Sequence, residues 1–179
     1  MKKISLAILV AFTLNSCQTT DADQVVAIDK KFSISLPSYL SKSTDLNPDA
    51  SLEYQNMVKE FYVIVIEDSK EEMKKSLEEN QLTGQYSNDI NGYANLLMQG
   101  FEQKIKISHK NPLVDTIVNN MPAKHLRISG KVDGIDAYYS VAFVEGKNTY
   151  YQVMAWTTAA KEKQYSERMT KIIHSLKEL

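Results

Sequence analysis

The sequence predicts an α+β domain in which an antiparallel sheet is flanked by helices. Three observations carry this. Apolar and polar residues alternate in short runs along residues 32–36 and 123–156, and an Asp-Gly pair separates two of those runs. Helical patterns interrupt the runs in a block and then follow them, rather than falling between every pair. Alternation marks half-buried strands, a two-residue link marks antiparallel neighbours, and helices grouped in this way mark α+β.

The first thirty residues form a separate unit. Lys2 and Lys3 precede the apolar run Ile4–Leu14. That run is shorter than the roughly 20 residues needed to span a bilayer, but it suits the core of a signal peptide. The segment Leu14-Asn15-Ser16-Cys17 resembles the lipobox of bacterial lipoproteins, with Asn15 a departure from the usual small residue. The resemblance implies cleavage after residue 16 and diacylation of Cys17, and more than one acyl chain is what stable anchoring requires. An ordinary secretory signal with a free cysteine beside the cleavage site is the alternative. Cys17 is the sole cysteine, so no intramolecular disulfide can form. The expected organisation is a signal peptide over 1–16, a lipidated cysteine and tether over 17–30, and a single domain over 31–179. Residues 18–23 are polar, and Val25–Ile28 reads either as a short strand or as an apolar part of the tether.

Phe32, Ile34 and Leu36 alternate with Lys31, Ser33 and Ser35 until Pro37 ends the run, which predicts a half-buried strand. Tyr39–Ala50 reads as loop and Leu52–Asn56 as a second strand. Phe61–Ile66 is continuously apolar, the pattern of a strand covered on both faces. Ser69-Lys70-Glu71-Glu72 fits a capping box and opens a helix with only Met73 and Leu77 as apolar anchors. A second helix carries Ile90, Tyr93, Ala94, Leu97, Phe101 and Ile105 on one stripe, opened by Ser87, Asn88 or Asp89. Leu113–Val118 is a strand that turns at Asn119-Asn120.

The last third is the most regular part. Asp133-Gly134 is a two-residue hairpin signal, and Gly146 marks a second turn. With two-residue loops, residue 128 faces 139, 126 faces 141, and 143 faces 150. One sheet face then carries Leu126, Ile128, Tyr139, Val141, Phe143, Tyr150, Met154 and Trp156, and is expected to be core. The other begins polar with His125, Arg127 and Ser129 beside Tyr138 and Ser140, and becomes apolar towards Tyr151, Val153 and Ala155. After Thr157-Thr158, either of which can cap a helix, Tyr165, Met169, Ile172, Ile173 and Leu176 follow a helical period. Lys171, His174 and Lys177 stand near its end, where cations suit the helix dipole.

Taken in order, Phe32–Pro37, the Asn120-Met121-Pro122-Ala123 turn, the Asp133-Gly134 hairpin and the tail from Tyr150-Tyr151-Gln152-Val153 to Ser175-Leu176-Lys177 resemble the PsbP-like superfamily. This includes a photosystem extrinsic protein and bacterial DcrB-type lipoproteins. The resemblance implies an α/β/α sandwich and members that act as assembly factors, scaffolds or chaperones. It supplies no shared catalytic motif and therefore no catalytic residue to carry over.

The composition narrows the remaining classes. There are 21 basic and 22 acidic residues, and loss of residues 1–16 leaves a net charge of −3. No basic run offers a phosphate-binding stripe, so nucleic acid is not an expected partner. His109, His125 and His174 show no metal-ligand spacing and read as exposed or capping residues; no metal or cofactor is expected. Neither a nucleophile elbow nor a phosphate-cradling loop occurs, and Glu71-Glu72 and Glu78-Glu79 read as a solvated helix face. The ten tyrosines suit sheets and interfaces alike. The candidate binding face is His125, Arg127, Tyr138 and Ser140. The expectation is a non-enzymatic envelope lipoprotein held to a membrane through Cys17 and binding a protein partner or acting as a scaffold. Gln18 after the cysteine favours outer-membrane over inner-membrane delivery. The alternative is a small-ligand binder using a cleft between sheet and helices.

Overall fold

The computed structural model describes residues 22–179, so the signal segment, Cys17 and the start of the tether lie outside the described residues. Strand β1 (Asp23–Ile28) pairs antiparallel with β2 (Phe32–Pro37). The segment open to two readings, Val25–Ile28, is therefore part of a strand. A short β3 (Ser41–Lys42) leads to β4 (Ala50–Asn56) and β5 (Phe61–Ser69). Helices α1 (Lys70–Glu79) and α2 (Ile90–Lys104) follow. Then come β6 (Lys106–Lys110), β7 (Val114–Val118), β8 (Met121–Val132), β9 (Ile135–Glu145) and β10 (Thr149–Thr158). A 3₁₀ turn at Ala159–Lys161, α3 (Glu162–His174) and β11 (Lys177–Glu178) close the chain.

The main sheet runs β3-β4-β5-β10-β9-β8-β6, with β7 pairing the rest of the outer edge of β8; β1-β2-β11 form a smaller sheet. Every pairing is antiparallel. The first hairpin has the predicted register, Ile128 facing Tyr139 and Leu126 facing Val141. Asp133 and Gly134 both take positive φ, 48° and 85°, as a mirror-image two-residue turn demands. Asn119 and Asn120 repeat the device between β7 and β8, at 46° and 68°.

The second hairpin differs from expectation. Glu145, not Phe143, faces Tyr150, because the turn is Lys147-Asn148, closed by the Gly146 N–H donating to the Thr149 carbonyl at 2.8 Å. The slip is two residues, so each side chain keeps its predicted face. Gly146 is there for space. A Cβ would stand 2.3 Å from Glu178 Oε1 and 2.8 Å from the Tyr151 ring, where β11 comes to rest.

Both faces are buried, as the continuous apolar run of β5 requires. Leu126, Ile128, Val141, Phe143, Tyr150 and Met154 pack beneath α1 and α2. Val63, Val65, Ala142, Val144, Val153 and Ala155 pack beneath α3, whose Tyr165, Met169, Ile172 and Ile173 meet them, with β2 alongside. Ser69 caps α1, its Oγ accepting from the Glu72 N–H, and Asp89 caps α2, accepting from Asn91 and Gly92. The threonine cap of the last helix is corrected. Thr157 and Thr158 remain in the β10 ladder opposite Tyr138 and Ala137, Thr158 makes no capping bond, and α3 starts only after the 3₁₀ turn. Lys177 is likewise in β11 rather than the helix, since Ser175 ends α3 and Lys177 pairs with Ser33.

Candidate functional site

Where α2 stops, the sheet face beneath it stays open. Three aromatic residues on adjacent strands occupy this end. Trp156 of β10 lies opposite Tyr62 of β5 and Tyr139 of β9. The indole stacks on Tyr62 at 5.2 Å with planes 15° apart and on Tyr139 at 6.1 Å and 23°. All three are half-buried. Beside this row a cleft of about 470 Å³ runs between sheet and helix, within the usual size range of ligand sites. Ile64, Met154 and Trp156 form its floor, Leu97 and Phe101 of α2 its roof, and Lys104 and Asp49 stand at its rim. Gln152 is the polar group in the floor.

The covered part of the same face explains why α2 sits firmly. Tyr93 stacks on Tyr150 at 4.4 Å and meets Phe143 edge-on at 6.0 Å. Its hydroxyl donates a short hydrogen bond to Asp68 Oδ2, which also accepts from Gln152 Nε2 at 3.1 Å. Burial, with the Asp68 carboxylate next to it, raises the Tyr93 hydroxyl far above the ordinary phenol range, so it stays a donor. Lys70 stands 5.1 Å over the Tyr150 ring and pairs with Glu145 at 2.7 Å. Asp68 therefore locks the helix to the sheet and holds Gln152 in the floor of the cleft. The site offers flat aromatic surface, apolar walls, one positioned amide and two rim charges. This suits stacking and burial of an apolar or aromatic group.

The candidate face predicted from sequence lies on the opposite side. The structure does bring its four members together: Arg127 pairs with Ser140 in register, Ser129 with Tyr138, and His125 Nε2 is 2.8 Å from Ser140 Oγ. It also covers them. His125, Tyr138 and Ser140 are 9%, 3% and 0% exposed, and half-buried Arg127 donates from Nη2 to Thr170 Oγ1 of α3 at 3.1 Å. These polar residues are an interior seam, and a cavity of about 280 Å³ beside Asn111, Pro112 and Val114 reaches His125 and Arg127. His125 is thus neither exposed nor capping. Its ring meets His174 edge-on at 6.3 Å, and burial, then the charges of Arg127 and His174, push its pKa down to about 4. Arg127 Nε is buried and has no hydrogen-bond partner among the described residues. His109 is exposed and separate. Among the described residues no group of three or more His, Cys, Asp or Glu could hold a metal ion.

Tyr139, Met154 and Trp156 were legible in the sequence as one face but not as a site. Alternation reports which way a side chain points. It does not report how far along the sheet a helix reaches.

No family profile and no curated protein sequence matches the chain. Solved structures do. The cyanobacterial PsbP protein of Synechocystis matches over 93% of this chain and 99% of its own, at 7% identity and a TM-score of 0.54. LpqN of Mycobacterium tuberculosis, described as involved in cell envelope biogenesis, matches over 88% and 90%, at 8% identity and a TM-score of 0.53. The fold is PsbP-like, as the sequence pattern implied. Among the described residues no helix is long and apolar enough to cross a membrane.

Proposed function

We propose that this protein is a non-enzymatic binding module of the bacterial cell envelope, held to a membrane by lipid on Cys17, with the Tyr62–Trp156–Tyr139 row and its cleft as the working surface. The observation that carries the reading is this stacked, half-buried row beside an apolar cleft that α2 leaves uncovered. Trp and Tyr are the side chains that most often anchor protein interfaces, because they bury large rigid area at low entropic cost. The partner is a protein that seats an apolar or aromatic side chain over Trp156. The anchor raises the local concentration of the domain near envelope partners, so a modest intrinsic affinity suffices. LpqN, a protein of the same fold involved in cell envelope biogenesis, supports this reading.

The size of the cleft and the amide in its floor favour a second reading, a small apolar ligand. One experiment separates the two. Tagged full-length protein, Cys17→Ala and Trp156→Ala are each used for pull-down from solubilised envelopes. A stoichiometric protein held by the parent and lost with Trp156→Ala supports the first reading. A co-purifying small molecule, displaced by Trp156→Ala, with no protein partner, supports the second. A set of retained molecules unchanged by Trp156→Ala removes the cleft from both.

A further inference from the structure

Two apolar side chains stand at the far tip of the β4–β5 hairpin. Met57 and Val58 are 73% and 91% exposed. The turn does not need them. It is closed by Asn56 Oδ1 accepting from the Lys59 N–H at 2.8 Å, by the Glu60 N–H donating to the Met57 carbonyl at 3.2 Å, and by the positive φ of Glu60. Polar residues would serve the same geometry.

Two further features place this tip. The pairings Asn56–Phe61, Phe61–Thr157 and Thr157–Tyr138 put the β4–β5 and β8–β9 turns at one end of the sheet, and Ile135, the first residue of β9, is 60% exposed. The described chain also enters at this end. The Ala22 carbonyl accepts from the Ser38 N–H at 2.8 Å, Gln24 Nε2 donates to the carbonyls of Pro37 and Leu40, and Asn56 Nδ2 donates to the Tyr39 carbonyl at 2.8 Å. Five residue steps separate Ala22 from Cys17, and at about 3.6 Å per residue they reach no more than about 18 Å. A lipid on Cys17 therefore keeps Ala22 within about 18 Å of the headgroups, and the end of the domain that carries the exposed tip is the end nearest the anchor.

We propose that the Met57–Val58 tip is a second membrane contact, inserting into the lipid surface and turning this end of the domain towards the bilayer. The inference rests on the lipidation of Cys17 in the reading above. Two apolar side chains would not hold a free protein on a membrane, but the tether makes their insertion an intramolecular event. The charges next to the tip are already partnered, Lys59 lying 4.8 Å over the Tyr39 ring and Glu60 pairing with Lys161 at 2.9 Å, so the two apolar side chains are what the tip presents. The cleft at the same end then opens close to the membrane plane.

The test uses lipidated full-length protein in vesicles of phosphatidylethanolamine and phosphatidylglycerol. Acylation consumes the Cys17 thiol, so Val58→Cys carries an environment-sensitive fluorophore at one place, and Lys171→Cys on the far end of α3 carries it in the control. The expected result is a blue shift of the Val58 label and several-fold stronger quenching by nitroxide-bearing lipids than at position 171. Vesicle-bound protein whose Val58 label is no more quenched than the control overturns the proposal and leaves the anchor intact. A blue shift that needs no vesicles and grows with protein concentration places the tip against a second copy and also overturns it. Protein that is neither acylated nor vesicle-bound overturns the anchor and the proposal together.

Discussion

Replacing His125 by glutamine should remove most of the acid sensitivity that the seam under α3 gives the fold. In the native protein the imidazole lies between sheet and helix, with Ser140 2.8 Å from Nε2, Arg127 two residues along its strand and His174 facing it from α3. Burial, with Arg127 and then His174 beside it, holds its pKa at about 4, against 6.5 for an ordinary histidine. The unfolded chain therefore binds a proton below about pH 6.5 that the folded one refuses until about pH 4. The stability this group contributes is complete above pH 6.5. It falls by about 1.4 kcal/mol per pH unit between the two values, a loss of about 3 kcal/mol in all. Urea unfolding of the mature domain at pH 7, 6, 5 and 4.5 measures it. The parent should lose stability along that slope, and His125→Gln, which can still reach Ser140, should show a shallower one. Equal slopes would refute the argument, because the proton uptake would then belong to other groups.

Three further outcomes follow from the same structure. Gly92→Ala would place a Cβ 1.7 Å from the Ser87 carbonyl oxygen, forcing apart the cap that Asp89 builds, and should cost about 3 kcal/mol or more in unfolding free energy. Tyr93→Phe keeps the stacking on Tyr150 but leaves the buried side of Asp68 with one donor fewer, and chemical denaturation should record a loss of about 1–3 kcal/mol. Cys17→Ala should move the protein from the detergent to the aqueous phase in a detergent partition assay, with the domain's circular dichroism unchanged. Retention in the detergent phase would contradict the anchor.

The parts of the fold that could be read in advance are those whose signals are local. Asp133-Gly134 specifies one turn and so one register, and every residue from Leu126 to Val141 follows. The turn near Gly146 was misplaced by one position, because that glycine answers to Glu178 and Tyr151, a contact between distant parts of the chain. Strand β6 has one apolar residue, Ile107, in Lys106–Lys110 and lies at the sheet edge, where alternation carries no requirement. Strand β11 is two residues long, follows the buried Leu176 and pairs with Ser33 and Phe32, a contact between distant parts of the chain that no local pattern signals. The polar residues of the seam were grouped correctly as neighbours. Their burial depends on where α3 lies, which strand alternation does not report. The aromatic row was hidden for the converse reason. Trp156 and Tyr139 follow the core pattern fully, and what exposes them is the end of α2 at Lys104.

The central claim, that the aromatic cleft is where this protein meets its partner, is tested most directly by crosslinking in intact cells. A photoreactive phenylalanine derivative at position 139, in the aromatic row, is compared with the same group at position 171, on the outer surface of α3. The account predicts one discrete crosslinked species from position 139, absent from position 171 and competed by no change on the α3 side. No crosslink from position 139, or the same species from both positions, would contradict it.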